Sequence, residues 1–585
     1  MRSFFFLSLA AAIACIATGC SNIIVDSAAS ADSSSMVAYN ADSATLYGSL
    51  YHYPAASHAP GTMRDVYNWD TGVYLGQIKE ATETFNVVGN MNQFGLVIGE
   101  TTYGGIAELQ VQSKGLIDYG SLIWITLQRS KTAREAIATI GSLLAEYGYV
   151  SEGESFSIAD PTEAWVMEII GKGEFELGAV WVAKKVPAGH VTAHANQARI
   201  TTFAPDDDTL FAPDTVSFAK KYGFYPKVAP DAAFSFSDTY NPVSFEGARF
   251  CEARVWSFFG AVMGADWAAQ YLDYAQGYNL TNRMPLFVAP PKKLSLDEVF
   301  SAMRSHYEGT ELDMTGSTFS DVGAAFGGMA QRAHPLTWTS QSAEYLNERP
   351  IGTPQTGWNF VAQSRRWMPA ELAGLLWFGV DDSSTTAHFP IYGSCTSVPQ
   401  SFAGKGAQDG VTPPIMTFNM QTAFTAFNLV ANWAYSRWDL IYPDVLARVL
   451  AVEAHFQQTI MQLDKEALQK YETEGASAAV AMVTLRCGQF GDSLVQQWGQ
   501  FFGELFVKYR DGYVISASEE SQNCGCKVAN GAYPQQWLDR IVGDTQEHYK
   551  VPSEAQLLQG QGQGQGPRGN GGVRDSRKLE LLSRR

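Results

Sequence analysis

Between residues 20 and 200 the chain is built from short runs of β-branched and aromatic residues, and no other feature limits its fold so strongly. SNIIV (21–25), SSSMVAYN (33–40), TFNVVGNMNQFGLVIGETTYGG (84–105), ESFSIADPTEAWVMEIIG (154–171) and GAVWVAKKVPAGHVTAHANQ (178–197) are each bounded by Gly, Pro, Asp or Asn. Such runs predict strands. Among them, TAREAIATIGSLLAEYG (132–148) has helical spacing: Ala136, Ile137, Ile140, Leu143 and Leu144 share one face. Thr132 and Glu135 stand in capping-box positions, and Gly148 is placed to close the helix. Strand runs parted by only one or two helical segments predict an α+β fold with antiparallel sheets rather than a βαβ series.

From Phe424 the texture changes. NLVANWAYSRWDLIYPDVLARVLAVEAHFQQ keeps helical periodicity, and SLVQQWGQFFGELFVKYR from Ser493 repeats it, so a helical C-terminal section is expected, with its Phe and Trp residues in the core. Residues 511–558 read as a C-terminal extension. The segment 559–585 is Gly/Gln-rich and then basic, too poor in apolar residues to fold, and is expected to be disordered.

With 585 residues, 46% hydrophobic and 17% charged, the chain can bury a large core as one very large domain or two to three ordinary ones. Its formal net charge of −18 would repel nucleic acid. There is no HExxH, no Gly-rich phosphate loop, no GxSxG elbow and no paired CxxC, so neither a metal nor a nucleotide cofactor is expected. The histidines, including His52, His58, His190 and His194, read as structural or surface residues, and Asp381-Asp382 with His388 as a loop. The Cys524-Gly525-Cys526 pair is expected in a surface loop, bridged by a disulfide to elsewhere. Asn279-Leu280-Thr281 is an acceptor sequence for glycosylation.

MRSFFFLSLAAAIACIATGC opens the chain with one basic residue, an apolar run and small residues at Ala17, Thr18 and Gly19. This pattern predicts a secretion signal over residues 1–19, too short to span a bilayer comfortably. No later apolar run reaches about 18 residues, so the expectation is an exported protein without a stable membrane span, in an extracellular, periplasmic or lysosome-like compartment. Cleavage before Cys20 would expose a thiol and an α-amine on one residue. The amine, with an unperturbed pKa of about 7.7–8.0, can accept the thiol proton and return one to a leaving amine. No histidine is then required. The competing reading is a lipoprotein, because Ala17-Thr18-Gly19-Cys20 loosely fits a lipid-attachment box; the sulfur would then be a thioether anchor and could not attack a carbonyl.

From Cys20 onward the chain resembles the dipeptidase family of N-terminal cysteine nucleophile hydrolases, peptidase family C69, which includes the secernins. The resemblance is carried by Cys20-Ser21-Asn22-Ile23-Ile24-Val25, Ala31-Asp32-Ser33-Ser34, Tyr39-Asn40-Ala41-Asp42-Ser43, GNMNQFGLVIGETTYGG, HANQARI, RFCEARVWS, PIGTPQTGWNFVAQSR and LLWFGVDDSSTTAHFPIY. It covers about residues 20–510. It implies a four-layer αββα sandwich, here with an added helical section, and hydrolysis of dipeptides through a thioester. By motif order, roles held in the related penicillin V acylases and bile-salt hydrolases would fall on Cys20 as nucleophile, Asp42 as its orienting carboxylate, and Asn92 and Asn196 as oxyanion contacts. Those acylases carry an Arg where this chain has Tyr39, so no Arg role transfers. Arg199 is a candidate for binding a substrate carboxylate. An acylase of another small amide, and a lipid-anchored protein without catalysis, are the alternatives. Whether copies of the chain assemble is left open.

Overall fold

The computed structural model describes residues 19–43, 45–313, 337–346, 349–404, 415–519, 524–532, 535–546, 548–551 and 553. The expected secretion signal, except for Gly19, and the Gly/Gln-rich tail lie outside these residues.

Every strand-like run forms strands. β1 (Ser21–Val25) and β2 (Ser35–Asp42) are followed by the short β3 (His52–Tyr53), β4 (Val87–Val88) and β5 (Met91–Asn92). Next come β6 (Val97–Gly104), β7 (Gly153–Ala159), β8 (Ala164–Gly171), β9 (Ala179–Lys185), β10 (Val191–His194) and β11 (Thr209–Phe211). Far downstream lie β12 (Thr356–Ser364), β13 (Gly374–Val380) and β14 (Phe389–Tyr392). Two antiparallel sheets result, in the orders β10-β1-β2-β12-β13-β14 and β11-β9-β8-β7-β6-β5-β4-β3. The fold class is therefore α+β.

The sheets meet through β1 and β2 on one side and β6 and β7 on the other. Period-two alternation sorts the residues of β8: Ala164, Val166 and Ile170 join the core shared with β1 and β2, whereas Trp165, Met167 and Ile169 join a second core beneath helices. Because both faces are covered, β8 is buried throughout and reads as a nearly continuous apolar run.

The helices of the second core are α1 (Tyr119–Leu127) and α2 (Ala133–Tyr147), which pack on β6 and on β7 to β9 respectively. α2 buries Ala133, Ala136, Ile137, Ile140, Leu143 and Leu144, the expected stripe; each Ile or Leu contributes about 1.5–3 kcal/mol. Thr132 Oγ1 accepts from the Glu135 amide at 3.2 Å, but the Glu135 carboxylate accepts from the Lys131 amide at 2.8 Å. The cap is thus one residue wider than the expected box. Gly148, at φ 71°, ends the helix with its N–H on Leu144 O.

α3 (Ala253–Met263) and α4 (Leu296–Met303) pack on β10 and β2. The expected C-terminal section is α5 (Ala423–Ser436), α6 (Trp438–Glu474) and α7 (Ala476–Tyr509), laid against β13 and β14. The chain reverses between α6 and α7 at Gly475, whose φ of 89° excludes most side chains. The 381–388 connection, expected as a loop, is wholly buried there: Asp382 accepts from the Tyr435 hydroxyl at 2.6 Å, and His388 Nδ1 lies 2.6 Å from Glu453.

One compact unit runs to Gly531 and takes in a hairpin, Tyr513–Ala517 with Cys526–Asn530. The second unit, from Ala532, contains the helix Gln535–Thr545. The Cys524 and Cys526 sulfurs are bonded to each other, not to a distant cysteine as expected, so the bridge closes only a local ring. Asn279 is exposed, with its amide N–H on Asp273 at 2.8 Å. Among the described residues no helix is long and apolar enough to cross a membrane.

Candidate active site

Cys20 sits immediately before β1, where the register of the sheet fixes it. Ser21 opposes Asn40, and the Gly19 N–H donates to Asp42 O at 3.1 Å, so the segment before Cys20 continues along the end of β2. β10 flanks β1 on its other edge, with Asn22 opposite His194. Past the end of β10 the chain turns at Asn196, whose φ of 64° is unusual for a residue with a side chain. β12 places Thr356 and Trp358 beside the end of β2. These strand ends converge on a cavity of about 530 Å³ lined by Gly19, Cys20, Tyr39, Asp42, Glu100 and Asn196, among others.

The Cys20 thiol is buried. It lies 3.5 Å from the Tyr39 hydroxyl and donates to Glu100 Oε1 at 3.6 Å; Tyr39 also donates to Glu100 Oε1. Burial, then the charges of Glu100 and Asp42, push the Cys20 thiol well above its ordinary pKa, so it is protonated. Glu100 and Glu154 are both buried carboxyls. Burial raises both, and the charge of Glu100 adds to the rise at Glu154. An anionic field that disfavours a thiolate favours a cation close by.

Asp42 is fully buried. Its Oδ1 accepts from the Thr356 hydroxyl at 2.7 Å, and its Oδ2 lies 3.5 Å from Arg349 Nη2. Burial outweighs the attraction of Arg349 and pushes the carboxyl up to about 7. Arg254, from α3, ties the strand ends together: Nη1 donates to Cys20 O at 2.8 Å and Ser21 Oγ at 2.9 Å, and Nη2 to Asn196 Oδ1 at 2.9 Å. His194 sits between Thr101 and Ser157, both at 2.7 Å, and burial lowers it to about 3. It is neutral at any working pH.

Of the residues singled out in the sequence, Cys20, Asp42 and Asn196 share the cavity. Asn92 is not among its lining residues. Its amide donates to Leu127 O and Ser130 O at 2.8 and 2.7 Å, and its carbonyl accepts from the Phe94 and Leu96 amides, so the side chain is committed to its turn. Asn90, two residues earlier, lines the cavity instead. Arg199 is also outside the lining; it forms a buried ion pair with Glu252 at 3.0 Å and donates to Ala193 O and Pro285 O. Glu100, Arg254 and Arg349 join the site without having been expected there. Glu100 did carry a signal, an acid inside the apolar run GLVIGETTYGG.

With this geometry in hand, comparison with known proteins places the molecule. The model of Peptidase family C69 matches residues 45–449, and the chain belongs to that family, a family of peptidases. The matched span starts after Cys20. A probable dipeptidase of Salmonella dublin is 28% identical over 312 residues, 50% of this chain and 68% of that protein. Dipeptidase A of Lactobacillus helveticus is 23% identical, covering 51% of this chain and 55% of the relative. A probable dipeptidase of Latilactobacillus sakei is 21% identical over 66% of this chain and 76% of its own length.

Proposed function

We propose that the protein is an exported cysteine dipeptidase whose nucleophile is Cys20, released by cleavage of the Gly19–Cys20 bond, on a four-layer αββα N-terminal nucleophile scaffold. The observation that carries this reading is the thiol of the residue just before β1, buried at the cavity where β1 begins and β2 and β10 end. Dipeptidase-named relatives and the family match support the substrate class.

Hydrolysis of the Gly19–Cys20 bond by water leaves an amine on Cys20. The amine takes the thiol proton as Sγ bonds to the substrate carbonyl carbon, and passes it to the departing amino group as the C–N bond breaks. Water then cleaves the thioester and restores the thiol. The anionic neighbours Asp42 and Glu100, which oppose a thiolate in the unprocessed chain, hold the Cys20 ammonium and so compensate the thiolate beside it. Asn196 and Asn90 line the cavity; each spends one amide N–H on a backbone carbonyl, Thr102 O and Ile98 O respectively, and the second N–H is the donor proposed for the developing oxyanion. Asn92 serves by holding the turn that presents Asn90, and Arg254 keeps Cys20 and Asn196 in register.

The test is the N-terminal sequence and intact mass of the exported protein, together with turnover of a dipeptide panel by Cys20→Ala and Cys20→Ser. A chain starting at an unmodified Cys20, and loss of turnover by at least about 10³-fold in Cys20→Ala, is the expected result. A mass increment of acyl chains on Cys20, or full turnover without the thiol, overturns it.

A further inference from the structure

Gly19 is the residue that cleavage removes, and its surroundings are unlike the rest of the cavity. A Cβ on Gly19 would lie 2.1 Å from Arg349 Nη1, 2.6 Å from Arg349 Cζ and 2.7 Å from Asn196 Oδ1. Its carbonyl accepts from Arg254 Nη1 at 3.2 Å. Gly19 thus fills a slot walled by two guanidinium groups. Gly19 itself lines the cavity, whereas the fully buried Arg349 does not, since Gly19 stands against it. The remaining cavity wall has the opposite character. Beyond Asp42, which itself lies 3.5 Å from Arg349 Nη2, it is lined by Asp70, Glu100 and Glu152, and among the described residues no Lys, Arg or His lines it.

We propose that the slot occupied by Gly19 becomes, after cleavage, the subsite for the C-terminal carboxylate of the substrate, and that Arg349 is the residue that reads it. This rests on the reading that Cys20 is the processed N-terminal nucleophile. The slot adjoins Cys20, and in this proposal it takes the carboxylate of the residue that departs when the thioester forms. The substrate's ammonium then points into the acidic part of the cavity. A dipeptide is a zwitterion whose ends lie roughly 7 Å apart when extended, and the cavity offers a guanidinium slot at Gly19 with the carboxylates of Asp70, Glu100 and Glu152 elsewhere in its wall. A longer peptide would bring an uncharged amide to Arg349 in place of a carboxylate. The planar fork of Arg349 suits a carboxylate, and Tyr307 anchors its backbone by a hydrogen bond to Arg349 O at 2.6 Å. In the unprocessed chain the leader blocks this subsite.

The experiment compares the processed enzyme with its Arg349→Gln and Arg349→Lys variants on one dipeptide and its C-terminal amide. The ratio of kcat/KM for the acid over the amide should fall about 10-fold to 100-fold in Arg349→Gln, mostly through KM, and recover in part in Arg349→Lys. An unchanged ratio in a folded Arg349→Gln protein overturns the proposal. A second measurement needs no variant at Arg349: in the wild-type enzyme a free amino acid should protect Cys20 from alkylation at concentrations at least about tenfold lower than the amino-acid amide. Equal protection overturns it also. The nucleophile reading is judged separately, because an active Cys20→Ala protein sinks that reading, whereas an inactive Cys20→Ala with an unaltered acid-to-amide ratio in Arg349→Gln sinks only the subsite.

Discussion

Asp42→Asn provides a measurement in which the electrostatics of the site can be worked as a free energy. The Asp42 carboxyl is fully buried, hydrogen-bonded to Thr356 at Oδ1 and 3.5 Å from Arg349 at Oδ2, and is pushed up from 3.8 to about 7, first by burial. The folded state therefore binds this proton more tightly than the unfolded chain does. The stabilisation is complete below the unfolded pKa of 3.8 and is lost as pH rises through the folded value of about 7. Multiplying that rise by 1.36 kcal/mol per unit gives about 4 kcal/mol. Asparagine keeps the acceptor for Thr356 and carries no charge at any pH. In the unprocessed chain, urea unfolding at several pH values from 4 to 8 should show the difference between the two proteins moving by up to about 4 kcal/mol in favour of Asp42→Asn as pH rises. Other buried carboxyls such as Glu168 and Asp381, pushed up to about 7 and about 8, titrate in both proteins and cancel. On the proposed release of Cys20, its ammonium would add a positive charge beside Asp42, and the same comparison in that species should give a smaller movement. Stability curves that run parallel in the unprocessed pair would refute the reasoning, since Arg349 and Thr356 would then offset burial entirely.

The remaining predictions concern the thiol and the fold. Glu100→Gln removes a charge that opposes the Cys20 thiolate, so the pH midpoint for alkylation of Cys20 in the full-length chain should move down; an unmoved midpoint would mean that Glu100 carries no weight there. Thr132→Ala deletes the acceptor for the Glu135 amide at the start of α2 and should cost about 1 kcal/mol in urea unfolding, with kcat/KM unchanged; a loss of activity at full stability would contradict a purely capping role.

Local signals in the sequence determined much of the scaffold. The runs around Ile23, Val37, Val97, Phe156 and Trp165 became strands because β-branched and aromatic side chains suit a pleated surface packed on both faces, and α2 arose from a 3.6-residue stripe with Thr132 and Gly148 at its ends. The run of small residues before Cys20 predicts cleavage there from local sequence alone. Tertiary structure alone decided which of the candidate residues meet. Asn92 and Asn90 differ by two positions, so both belong to the same recognisable phrase, yet only Asn90 lines the cavity. Arg199 and Arg349 are indistinguishable as residue types. One is consumed by Glu252, and the other lies against Gly19, because β12 and the segment before it return from far along the chain to pair with β2. The cysteines Cys524 and Cys526 gave no sign of their pairing, as that depends on the turn between them. A sequence specifies which faces must be buried through periodicity, but the partner that buries a charge is chosen by sheet register and by long-range contacts that no short window contains.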